Sequence, residues 1–201
     1  MKLFLLIPLL YLITCGSDSE KLNQVIIDDP QPQTEPVSEV IIIAPVLLKM
    51  PKGAVKANFN ADKIPFYAHV KSVNKRKGIT TIAFEENKAP ALVLNDTYGA
   101  TVSMLRFDEF DRDLLLVNSK IKDPQFHKYH LYILKKGYWL PVVKPFSIHE
   151  SHVNASLKPI VVDPKNSDYM FRYYSVFDID ETSDLGYTWR LFNESVGIIN
   201  E

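Results

Sequence analysis

From residue 65 onward, apolar and polar residues alternate in short runs interrupted by Gly, Pro, Asn or Asp. That spacing belongs to half-buried β-strands joined by turns. Residues 66–73 and 79–84 are β-rich runs flanking a polar turn that ends in Gly78, which predicts a hairpin. Residues 91–94 stop at the turn signal Asn95, Asp96, and 98–107 follow as a further strand. After Asp113 come Leu114, Leu115, Leu116 and Val117, a continuous apolar run expected of a centrally buried strand. Residues 129–134 and 138–143 form the clearest hairpin, across a three-residue loop of Lys135, Lys136 and Gly137. The closing glycine supplies a positive φ without steric cost. Pro141 confines the second of these strands to an edge or a bulge. Residues 169–177 and 187–192 make another pair, with Tyr187, Trp189 and Leu191 on one face and Thr188 and Arg190 on the other. Only 148–157 suggests a short helix. The expected fold is mainly β, an antiparallel β-sandwich or barrel of about eight or nine strands behind a flexible N-terminal tether.

The start of the chain departs from this pattern. Lys2 leads an apolar run over 3–13, interrupted by Pro8 and followed by Thr14 and Cys15. One positive charge, a short apolar stretch and small residues at its end describe a secretory signal peptide. The run is about half the ~20 residues that a spanning helix needs. Leu12, Ile13, Thr14 and Cys15 resemble the lipobox of bacterial lipoproteins, with Thr14 where Gly, Ala or Ser is usual. The resemblance implies a signal peptide over 1–14 and attachment of acyl chains such as palmitate at Cys15. Two or more such chains anchor a protein stably where one is marginal. Gly16, Ser17, Asp18, Ser19 and Glu20 lack the Asp after the Cys linked to inner-membrane retention. They resemble the Ser/Asp-rich tags of surface-displayed lipoproteins. The implied address is the outer membrane, facing the periplasm or the cell surface.

Residues 15–36 read as a lipidated, acidic, Pro-rich tether. Asp18, Glu20, Asp28, Asp29 and Glu35 stand there against Lys21 alone, and Pro30, Pro32 and Pro36 favour extended chain. Residues 37–64 are a linker or an edge strand, since the β-branched run over 39–44 is followed by Pro45 and Pro51. Residues 65–201 are expected to form a single β domain.

Charge and chemistry narrow the function. The 201 residues carry 23 Lys+Arg and 24 Asp+Glu, a net charge of −1, which offers no basic field for nucleic acid. The lone Cys excludes a disulfide framework. Asp178, Asp180, Thr182 and Asp184 place oxygen ligands at alternate positions of one loop, and the segment resembles Asp-rich calcium loops. It has Ser183 where such loops place Gly, and it lacks their closing Glu. Its other reading is an acidic hairpin loop whose carboxylates cap local amides. No cofactor besides Ca²⁺ is suggested. His127/His130 and His149/His152 are spaced i, i+3, which on a strand points to opposite faces.

No glycine-rich phosphate loop or nucleophile elbow is present. Glu85, Glu86, Asp108, Glu109 and Asp111 are the candidates for a carboxylate pair. Tyr138, Trp139, Tyr174, Tyr187 and Trp189 are candidates for stacking on a sugar or a protein ligand. The leading expectation is a lipid-anchored envelope protein acting as a non-catalytic binding module. The alternative is a small envelope-polysaccharide hydrolase using paired carboxylates.

Overall fold

A computed structural model describes residues 49–199. The lipobox with Cys15, the tether over 15–36 and the run over 39–44 lie outside the described residues. Within them the chain forms twelve strands: β1 (Val55–Ala57), β2 (Phe66–Asn74), β3 (Ile79–Phe84), β4 (Leu92–Asn95), β5 (Ala100–Leu105), β6 (Leu114–Lys120), β7 (Phe126–Lys135), β8 (Tyr138–Pro141), β9 (Phe146–His149), β10 (Ile160–Val162), β11 (Tyr169–Ile179) and β12 (Tyr187–Gly197). They make three antiparallel sheets: β1-β2-β3-β4, β5-β6-β7-β8 with β9 also on β7, and β10-β11-β12. β8 and β9 share one edge of β7, β9 taking residues 126–129 and β8 residues 132–135.

The apolar run of β6 explains how the sheets stack. Side chains alternate across a strand. Leu115 and Val117 enter a core shared with Phe59, which follows β1, and with Phe66, Ile82 and Phe84 of the first sheet. Leu114 and Leu116 point the other way, into a core that holds Ile160 and Met170 of the third sheet. The five-stranded sheet therefore lies between the other two, and a strand covered on both faces has no polar side to show. Its neighbour β7 divides the same way, Leu134 facing the first core and Leu131 and Ile133 the second. This is a layered β-sandwich, and among the described residues no sheet closes into a barrel.

Several local expectations change. Twelve strands replace about eight or nine because β1, β9 and β10 are three or four residues long, too short to carry a readable alternation. The segment expected as a helix over 148–157 is the end of β9, a single 3₁₀ turn at Glu150–His152 and a loop. The β7–β8 loop has two residues, since Lys135 pairs with Tyr138. Lys136 and Gly137 both take positive φ, 49° and 80°, as a type I′ turn requires. Phe59, ahead of residue 65, is completely buried in the first core. Pro141 does lie on an edge, β8 pairing among the described residues only with β7. Among the described residues no helix is long and apolar enough to cross a membrane.

Candidate functional site

β11 and β12 form a two-stranded ribbon of eleven residues each, and only the β10 end of it has a third strand. Register pairs Phe177 with Trp189 and Ile179 with Tyr187, so these four share one face with Ser175 and Leu191. Phe177 stacks on Tyr187 at 5.1 Å and meets Trp189 edge-on at 5.6 Å. Trp189 in turn stacks on His149 of β9 at 5.0 Å and lies edge-on to Phe126 of β7 at 4.9 Å. A continuous row of rings thus runs from the ribbon tip to the central sheet. Phe177 stays 52% exposed, Ile179 72% and Leu185 at the tip 71%. Ser175 fastens the ribbon at mid-length, its hydroxyl accepting from the His149 N–H at 2.8 Å and lying 3.0 Å from His152 Nδ1.

Phe126 belongs to a second feature. It lines an open cleft of about 480 Å³ together with Lys75, Tyr98, Lys120, Lys122 and His127. The aromatic row therefore ends in a basic depression with a Tyr at its wall. Among the described residues nothing acidic lines it. Flat rings beside a cationic hollow suit a ligand with apolar ring faces and negative charge.

The other candidate residues are dispersed. Tyr138 and Trp139 belong to β8, outside the ribbon, and point to opposite faces of it. Tyr138 is 70% exposed. Trp139 packs into the first core, stacked on Phe84 at 4.8 Å with its indole N–H donating to the Pro90 carbonyl. Tyr174 pairs with Phe192 on the ribbon face opposite Tyr187 and Trp189. The five rings thus do not make one platform; Tyr187 and Trp189 do, with Phe177, Phe126 and His149. Phe177 was accessible from the hairpin register. Phe126 and His149 arrive through the β7–β9 pairing, which the sequence does not disclose.

The acidic loop is organised by its own hydrogen bonds. Asp180 Oδ1 accepts from the Thr182 amide at 3.0 Å and hydroxyl at 2.5 Å, which holds the Asp180 carboxyl below the usual carboxylate range. Asp178 pairs with Arg190 at 2.5 Å. Among the described residues no three His, Cys, Asp or Glu side chains are grouped as a metal site needs. The histidines are separately engaged: His127 with Asn118 at 3.1 Å, His130 with Ser119 at 3.2 Å, and His149 with Ser151 at 2.8 Å. The Ser119 hydroxyl donates to the Lys128 carbonyl, so the His130 Nε2 must donate to Ser119 and cannot act as its base.

The carboxylates separate too. Glu85 pairs with Lys88 and accepts from the Tyr67 amide. Glu109, Asp111 and Asp168 do share an open cleft of about 550 Å³ with Arg112, Lys135 and Lys136. There the Arg112 guanidinium grips Asp111 at 2.7 and 2.9 Å and holds its carboxyl below the usual range. A general acid for glycoside hydrolysis needs the opposite shift.

Comparison with family models, with curated proteins and with solved structures finds no match for this chain.

Proposed function

We propose that this is a lipid-anchored cell-envelope protein, attached to the outer membrane through acylated Cys15, whose β domain is a non-catalytic module for binding acidic glycans. The anchor rests on the lipobox-like residues 12–15 and the unique Cys they place there. The binding assignment rests on one observation: the row Tyr187, Phe177, Trp189, Phe126 leads into the cleft of Lys75, Lys120, Lys122 and His127. Exposed ring faces stack on the C–H faces of sugars, each contact contributing about 0.5–1.5 kcal/mol beyond area burial. The lysines supply attraction for carboxylate, phosphate or sulfate substituents, and that attraction is screened by salt.

The test is binding of the full-length protein to an array of acidic and neutral glycans. Phe177→Ala/Tyr187→Ala should weaken binding to every ligand, whereas Lys120→Glu/Lys122→Glu should remove only the preference for acidic ones. Circular dichroism checks that both variants fold. Equal profiles for wild type and the Phe177/Tyr187 variant would dismiss the row as a ligand surface. Anchoring is tested separately: labelled palmitate should enter wild type and not Cys15→Ala.

A further inference from the structure

We propose that the outer edge of β12 is a self-association interface, at which a second copy of this chain pairs antiparallel across a twofold axis at Phe192. Among the described residues β12 pairs only with β11. The bonds flanking the ladder fix which backbone groups are free. The Asp180 N–H donates to Gly186 O at 3.1 Å and the Ile198 N–H to Asp168 O at 2.9 Å. Even-numbered residues of β12 therefore direct N–H and C=O toward β11. Odd-numbered ones (Trp189, Leu191, Asn193, Ser195) direct theirs outward. The edge closes beyond Ser195, where the Ile199 N–H donates to Val142 O. Between Tyr187 and Ser195 it is an open row of the kind natural proteins blunt with short strands, bulges or prolines. β12 has none of these.

Side-chain chemistry selects both the partner and the register. The face bearing the even residues presents Arg190, Phe192 and Glu194 in order, the first two exposed and Glu194 half-buried. An axis at Phe192 sets Leu191 against Asn193 of the other copy and Trp189 against Ser195 in hydrogen-bonded pairs. It also brings Arg190 of each copy opposite Glu194 of the other. Each copy already holds Arg172 on Glu194 at 2.5 Å and Asp178 on Arg190 at 2.5 Å. The assembled rows thus read Arg172, Glu194, Arg190 and Asp178 across the joint, with signs alternating. At the axis the two Phe192 rings meet, each flanked by its own Tyr174. Axes one step away on the same face oppose Arg190 to itself or Glu194 to itself, which like-charge repulsion disfavours. An axis at Leu191 sets Arg190 opposite Phe192, and one at Asn193 sets Glu194 opposite Phe192, so neither opposes Arg190 to Glu194. The strand is self-complementary at one register only. The aromatic row lies on the other face, and pairing extends that face without covering it.

The test uses full-length chain carrying Cys15→Ala in sedimentation velocity. It should show a reversible dimer at roughly 100 μM. Arg190→Glu and Glu194→Arg should each weaken association about tenfold, because each homodimer then opposes like charges in two rows. An equimolar mixture of the two variants should associate as well as wild type, since each copy now supplies the sign the other lacks. That recovery separates pairing from any damage to the intramolecular ion pairs, which is the same in the mixture as in the separate variants. Phe192→Cys in the same background should form an intermolecular disulfide on mild oxidation, because facing residues of a non-hydrogen-bonded pair sit at about 4.5 Å between Cα atoms. A monomer at that concentration, a mixture no better than its components, or no disulfide at 192 would each overturn the interface.

Discussion

At the scale of single residues, three buried or strained positions give measurable consequences. His130 on β7 is pushed down to about 4, first by burial and then by the neighbouring Lys128 charge. With the folded value below the unfolded one of about 6.5, the unfolded chain binds more protons as pH falls from 6.5 to 4, so stability is lost across that window. The expected loss between pH 7 and pH 4.5 is about 1–2 kcal/mol, discounted because the ring is half-buried. Urea unfolding of wild type and His130→Gln at both pH values should show the variant missing that part of the loss. Asp113 is a second case. It is buried and accepts the Asn58 N–H at 2.7 Å, while its own N–H donates to Asn58 O at 3.0 Å. That clamp joins the segment carrying Phe59 to the start of β6, and Asp113→Ala should cost about 1–3 kcal/mol by leaving an amide unpartnered. Gly78 is the third, with φ of 63° and the Tyr98 ring 3.1 Å from where a Cβ would stand. Gly78→Ala should be destabilising by more than the ~1 kcal/mol of backbone strain alone, and thermal unfolding reads it directly.

At the scale of elements, legibility followed contact range. The hairpins β2–β3, β7–β8 and β11–β12 were readable because both strands and the turn between them lie within one short stretch of sequence. Even there the turn type was decided by pairing. Lys135 opposite Tyr138 leaves only Lys136 and Gly137 to turn the chain. A type I′ turn prefers Asn at its first central position, so Lys136→Asn should raise stability by about 0.5–1 kcal/mol, measurable as an increase in Tm without change in fold. The short strands were not readable: β10 is three residues whose place is set by pairing with β11. Nor was the aromatic row, because Trp189 reaches His149 and Phe126 through the packing of the ribbon on the edge where β9 meets β7. Alternation did disclose that Tyr138 and Trp139 face opposite ways. It carried no information on which other strands would stand beside them.

At the scale of the whole described domain, the central sheet belongs to two cores, and that makes the layers interdependent. Leu115 and Leu116 are adjacent in the chain yet line different cores. Neither outer sheet can therefore lose its packing without exposing one face of β6 and β7. Unfolding should then be a single cooperative transition despite the three separate sheets. The two tryptophans report on different sides of that arrangement: Trp139 sits against the first core, and Trp189 lies where the third sheet meets β7 and β9. Single-tryptophan variants, Trp139→Phe and Trp189→Phe, should retain one fluorescence transition each, and each should coincide with the loss of β-signal in circular dichroism for the same variant. Met170 is fully buried in the second core, far from Trp139 in the layering. Met170→Ala should cost about 2–5 kcal/mol. In a cooperative domain that loss moves the Trp139 signal and the Trp189 signal by the same amount. A Trp189 transition that shifts while the Trp139 transition stays in place would show that the third sheet unfolds from the central one independently, and that the ribbon rests on the sandwich without stabilising it.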